Sequence, residues 1–198
     1  MDTWQDYLAL AHRLADASGA IILPHFRRRL DVEDKERYVG FSPVTIADRE
    51  AESAIRALIG KTYPSHGILG EEFGHENPDA EQVWVIDPID GTKAFISGMP
   101  TWGTLIAFKD HEQITIGLLN QPFLRERFVG HPGGAFFGTR KIETRICPNI
   151  GDACLYATGP EMFASAEQRV FESLVDRVRY RRFGADCYAY VMLAMGLV

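Results

Sequence analysis

Apolar residues change their spacing along the chain near residue 65. Over residues 3–28, Trp4, Leu8, Ala11, Ala15, Ile22 and Phe26 recur at three- and four-residue steps with one slip to seven, which marks one apolar face of a helix. Pro24 is predicted to kink or end that helix near Leu23. The run Arg27, Arg28 and Arg29 then reads as a solvated helix end, where cations suit the helix dipole, in preference to a phosphate site. Residues 30–42 are charged and irregular and are expected to be mobile. A second helix starts at Thr45-Ile46-Ala47-Asp48, which has the Ser/Thr-x-x-Asp/Glu form of a capping box. Ala51, Ile55, Leu58 and Ile59 continue its inner face, and Gly60 can end it.

Beyond that point short apolar runs alternate with polar turns. Strands are predicted over residues 67–70, 83–86, 103–108, 114–119 and 126–130, and tight turns such as Lys109-Asp110-His111-Glu112 suggest an antiparallel sheet. Helical character returns over residues 164–178 and again over 188–197. Two helices, a run of strands and a later strand–helix part predict an α+β layered architecture. We divide it into an N-terminal part, residues 1–145, with the helices and the sheet, and a partial C-terminal α/β part, residues 146–198.

Composition narrows the functional classes. The 198 residues are 46% apolar, enough for a packed core. A net charge of -6 argues against a nucleic-acid binder held by a general positive field, though not against a small anionic substrate, because a bound metal reverses the local sign. No apolar stretch is long enough to span a bilayer, and the acidic start Met1-Asp2-Thr3-Trp4-Gln5-Asp6 lacks the basic and apolar regions of a signal peptide. Cys147, Cys154 and Cys187 show no close pair, so reduced, buried thiols in a cytoplasmic protein are expected. The histidines are scattered and have no metal-ligand spacing. Gly130-His131-Pro132-Gly133-Gly134 is a turn and not a dinucleotide loop.

The chemistry concentrates in acids at strand ends. In Trp84-Val85-Ile86-Asp87-Pro88-Ile89-Asp90-Gly91-Thr92 an apolar strand runs into Asp87, a second acid follows at Asp90, and Gly91 lets the backbone turn and approach a ligand. Alone, this could be an acidic turn capping the next element. Upstream, however, Ile68-Leu69-Gly70 runs into Glu71-Glu72. Four acids at one sheet edge are costly unless they bind a cation, and magnesium takes carboxylates, water and phosphate oxygens.

These residues resemble the signature of the inositol-monophosphatase superfamily, and Ser42-Pro43-Val44-Thr45-Ile46-Ala47-Asp48 is similar to the segment preceding it there. The resemblance implies a layered α/β/α/β/α sandwich, a homodimer and magnesium-dependent hydrolysis of a small phosphorylated substrate. Carried over by residue, it implies metal ligation by Glu71, Asp87 and Asp90 and by the Ile89 carbonyl. It implies that Thr92 orients the attacking water, that Asp48 hydrogen-bonds to Thr92, and that the amides of Gly91 and Thr92 face the phosphate. Lys93, the Trp102-Gly103-Thr104 run and Gly184-Ala185-Asp186-Cys187-Tyr188 resemble the histidinol-phosphatase branch. There Asp186 would meet a cationic leaving group and Lys93 would lie on the phosphate side; Asp186 also reads as the cap of the last helix, and Lys93 as a surface residue.

Members of that family continue beyond the position of Val198, with a Trp-Asp motif whose Asp completes the metal site. A C-terminally truncated chain is therefore the expectation. Three readings stay open: a histidinol-phosphate phosphatase, an inositol or other small-molecule phosphatase, and an inactive metal-binding or dimerisation module.

Overall fold

A computed structural model describes residues 3–29, 31–34 and 43–198. Leu30 and residues 35–42, most of the segment expected to be mobile, lie outside the described residues, as does Ser42 of the signature run. The helices are α1 (Trp4–Ile22), α2 (Ile46–Thr62), α3 (Thr92–Ser97), α4 (Ser165–Val175) and α5 (Asp186–Ala194). The strands are β1 (Glu33–Asp34), β2 (Pro43–Val44), β3 (Gly67–Gly70), β4 (Gly74–Glu76), β5 (Gln82–Asp90), β6 (Gly103–Asp110), β7 (Gln113–Gln121), β8 (Glu126–His131), β9 (Gly134–Phe137), β10 (Arg140–Ile142), β11 (Cys154–Ala157) and β12 (Tyr180–Phe183).

Helix α1 ends where Pro24 enters, and the chain tightens into a 3-10 turn over Leu23–His25. Helix α2 begins at the predicted capping box, with the Asp48 carboxylate accepting from the Thr45 amide and hydroxyl. Gly60 does not stop it. The helix runs on to Thr62, and the Tyr63 amide donates to the Ile59 carbonyl at 2.7 Å. A glycine inside a helix costs only about 1 kcal/mol, and the packing of Ile55 and Ile59 outweighs it.

The main sheet has eight strands in the order β10-β9-β8-β7-β6-β5-β3-β4. It is antiparallel except between β3 and β5, which run parallel with Gly70 opposite Ile86. That pair corrects the expected all-antiparallel sheet. The hairpin into β4 returns the chain outside β3, so β5 must enter on the other side in the same direction as β3. Both strands therefore finish at the same edge.

Side chains alternate across this sheet, and each face has a cover. Leu10 and Leu14 of α1 and Ile55 and Ile59 of α2 pack on Ile68, Trp84, Ile86, Ile106, Phe108 and Ile116. On the other face Leu119, Phe128 and Ile142 meet Cys187 and Val191 of α5. A two-stranded parallel sheet, β11 with β12, holds α4 in its crossover. The result is an α+β sandwich of helix and sheet layers, as the alternation of patterns predicts. Among the described residues no helix is long and apolar enough to cross a membrane. All three cysteines are free, but only Cys187 is buried; Cys147 is exposed, because it follows the last strand of the main sheet on an open connection. Trp102 packs fully buried against Phe26 and Phe95 as a core residue.

Candidate active site

Parallel pairing of β3 with β5 brings Glu71 beside Asp87. The Glu71 amide donates to the Ile86 carbonyl at 3.2 Å, which continues the ladder one residue past β3. Strand β5 also outruns its prediction. It persists through Pro88 to pair Asp90 with Gly103, and the register shifts between Asp87 and Asp90. That irregularity absorbs the amide hydrogen Pro88 lacks and re-aims the following side chain. The Pro88 carbonyl is capped by the Thr104 hydroxyl at 2.9 Å, itself paired with Ser18 at 3.0 Å. Gly91 then takes φ +83°, a left-handed turn that a side chain would strain, and heads the short helix α3. The first amides of a helix such as α3 have no acceptor within it.

The carboxyl groups of Glu71 and Asp87 share a hydrogen bond. Burial above all, then the charge of Glu71 and that hydrogen bond, then the charges of Asp90 and Asp48, push the Asp87 carboxyl up to about 9. Its Oδ1 is buried with no hydrogen-bond partner. Asp48 is pushed up to about 6, chiefly by burial, against the two hydrogen bonds from Thr45 and with the Glu72 charge adding to the rise. Like charges this close tolerate one another only through a shared proton or a cation. The donor set is all hard oxygen, and an orphaned buried carboxylate oxygen stands in its middle; both fit a divalent cation such as magnesium. Among the described residues no three His, Cys, Asp or Glu side chains close into a metal cage as they stand. Magnesium does not require one, since it keeps waters and shares substrate phosphate oxygens.

Two expected contacts come out differently. The Thr92 hydroxyl donates to the Ile89 carbonyl at 3.1 Å and not to Asp48. Asp48 is drawn away by its duty in the α2 cap, where the Thr45 hydroxyl holds Oδ2 at 2.6 Å. Asp186 is the first residue of α5, inside the helix and not its cap, which is Ala185. Its side chain lies against Gly91, where an added Cβ would come within 2.9 Å of Asp186 Cβ. Burial raises the Asp186 carboxyl; a hydrogen bond from the Thr101 hydroxyl opposes this, the Asp90 charge adds to it and the Lys93 ammonium again opposes it. Lys93 itself is exposed.

Three positions at the site carry no acid-motif signal. The Cys187 amide donates to Asp90 Oδ2 at 2.7 Å, tying α5 to the acidic edge. Burial and the Asp90 charge hold the Cys187 thiol protonated, well above its usual range. Fully buried Glu52 of α2 accepts from the amides of Glu72 at 2.8 Å and Phe73 at 3.1 Å and from Arg56 at 2.8 Å. It pins the turn that presents Glu71. The four-residue spacing of Glu52 and Arg56 is the one trace of this in the sequence. Thr101 looks like an ordinary strand-start residue.

A parallel-paired acidic edge, an irregular β5 and a glycine turn into α3 come together on a layered α+β scaffold. The sequence model described as "Inositol monophosphatase family" matches residues 3–198, and the chain belongs to that family, whose members are phosphatases. The chain is 43% identical over 195 residues to the bifunctional phosphatase IMPL2, chloroplastic, of Arabidopsis thaliana, covering 97% of this chain and 56% of that protein. It is 34% identical over 193 residues to a histidinol-phosphatase of Chlorobaculum parvum, covering 96% of this chain and 73% of the relative. An inositol monophosphatase from Zymomonas mobilis superposes with a TM-score of 0.86 at 41% identity, over 99% of this chain and 75% of that one. The chain thus spans about half to three quarters of the length of these relatives.

Proposed function

We propose that this chain carries the catalytic centre of a magnesium-dependent phosphomonoesterase whose preferred substrate is histidinol phosphate. The observation that carries the phosphatase reading is the orphaned, buried Oδ1 of Asp87, under the charges of Glu71, Asp90 and Asp48 and shortly before the left-handed turn at Gly91. Glu71, Asp87, Asp90 and the Ile89 carbonyl would hold the metal. When bound, magnesium supplies charge neutralisation for the phosphate and a more acidic water. The Gly91 and Thr92 amides bind phosphate oxygens through donors that need no reorganisation. With its own hydrogen given to the Ile89 carbonyl, the Thr92 oxygen accepts a hydrogen from the attacking water and aims it. Asp48 holds the Thr45 cap and adds negative charge beside Asp87.

Support for the substrate comes from Asp186, a carboxylate on the far side of Gly91, where it would pair with the cationic amine of the leaving alcohol. The histidinol-phosphatase relative at 34% identity points the same way. Inositol monophosphate is the second reading, favoured by the likeness to the Zymomonas protein at 41% identity. Phosphate release from the two esters, measured side by side at saturating magnesium, separates them: a higher kcat/KM for histidinol phosphate supports the first. Release from neither ester overturns both.

A further inference from the structure

The corner that brings α5 to the acidic edge needs support. Asp186 stands at φ +45°, two residues after Gly184 at +67°, so an L-residue is held in the left-handed region that such residues avoid. Strain of this kind persists only where surroundings over-determine it, and it clusters at working sites. Three contacts hold the corner. The Cys187 amide donates to Asp90 at 2.7 Å. The Asp186 side chain lies against Gly91, with Cγ 3.0 Å from where a Cβ would stand. The Thr101 hydroxyl donates to Asp186 Oδ2 at 3.2 Å. Among the described residues this is the one hydrogen bond to that carboxylate, which leaves the lone pairs of Oδ1 for a ligand. Thr101 is a firm anchor. It directly precedes fully buried Trp102, and its carbonyl lies 3.7 Å from the Cys187 thiol.

We propose that Thr101 is a positioning residue, whose hydroxyl fixes the Asp186 carboxylate over Gly91 and thereby sets a preference for phosphomonoesters with a cationic alcohol. The inference rests on the phosphatase reading above and adds to it the residue that aims the leaving-group acid. A carboxylate free to rotate pairs less well with a cation than one held in a single rotamer, because the ordering cost then falls on binding. A neutral polyol gains far less from that orientation.

The test compares wild type, Thr101→Val and Thr101→Ser on histidinol phosphate and inositol monophosphate, with thermal unfolding to verify folding. Thr101→Val keeps the shape and removes the hydroxyl. It is expected to lower kcat/KM for histidinol phosphate about tenfold, through KM, and that for inositol monophosphate by no more than about twofold. Thr101→Ser should restore most of the loss. Equal losses on both esters, no loss on either, or no rescue by serine overturns the assignment. A wild-type protein without preference for the cationic ester overturns the substrate reading, and this inference falls with it.

Discussion

Asp90 is gripped on one oxygen by the Cys187 amide, which leaves the other for a cation. Asp90→Asn keeps an acceptor for that amide and removes one negative charge from the proposed ligand set. Magnesium affinity measured by calorimetry should fall at least about tenfold, while thermal stability without metal stays close to wild type. Equal affinity in the two proteins would remove Asp90 from the ligand set. Thr92 presents a different signature. Its hydroxyl is held by the Ile89 carbonyl within the same turn, so its removal barely disturbs the fold. Thr92→Ala is expected to lower kcat by about tenfold or more with KM changed less than about threefold, since aiming a water matters most in the transition state. An unchanged kcat with a raised KM would assign Thr92 to substrate binding instead.

Helix α2 contributes the support that the acidic edge cannot supply for itself. Glu52 is fully buried, and its acceptors are filled by two amides of the β3–β4 turn and by Arg56, whose side chain is 13% exposed. A buried ion pair adds little net stability, but breaking one leaves a charge without a partner. Glu52→Ala should destabilise the protein by about 3 kcal/mol in urea unfolding. Glu52→Gln, which keeps an acceptor, should lose less. A change below the error of the extrapolation would show that the turn stands without this pin. Gly70 belongs to the same arrangement, for a Cβ there would overlap the Glu52 carboxyl and Arg56 guanidinium. Much of this element structure is legible in the chain: α1 stops at Pro24, α2 starts at its capping box, and five strands lie close to their predicted places. Helix α3 and the outer strands β4, β9 and β10 escape notice because each spans six residues or fewer, too short for a period to declare itself.

Taken together, the protein carries a patch of carboxylates with raised pKa, and this predicts how its stability follows pH. Asp48 at about 6 and Asp87 at about 9 bind protons in the folded state that the unfolded chain has already released. Such groups contribute stability that is fully present below their unfolded pKa, near 4, and lost as pH rises through the folded values. Without divalent cations, the melting temperature should fall between about pH 4 and about pH 9. Magnesium should raise it most at the alkaline end, where the carboxylates are charged. A melting temperature that rises over this window in the absence of metal, or a magnesium effect confined to acid pH, would contradict the crowding of charges at this edge.

Local chemistry made the acids visible. A strand running into Asp87, a glycine after Asp90 and a second strand running into Glu71-Glu72 are written in consecutive residues, and covalent neighbours stay neighbours whatever the fold. Pairing decided the rest. Whether β3 and β5 run parallel, and so whether Glu71 meets Asp87, depends on the course of the β4 hairpin. Thr92 bonds to Ile89 and not to Asp48 because the cap of α2 engages Asp48 first. Glu52, Thr101 and the Cys187 amide reach the site from positions 20 to 97 residues away from the groups they hold, and no spacing along a chain encodes contacts of that range.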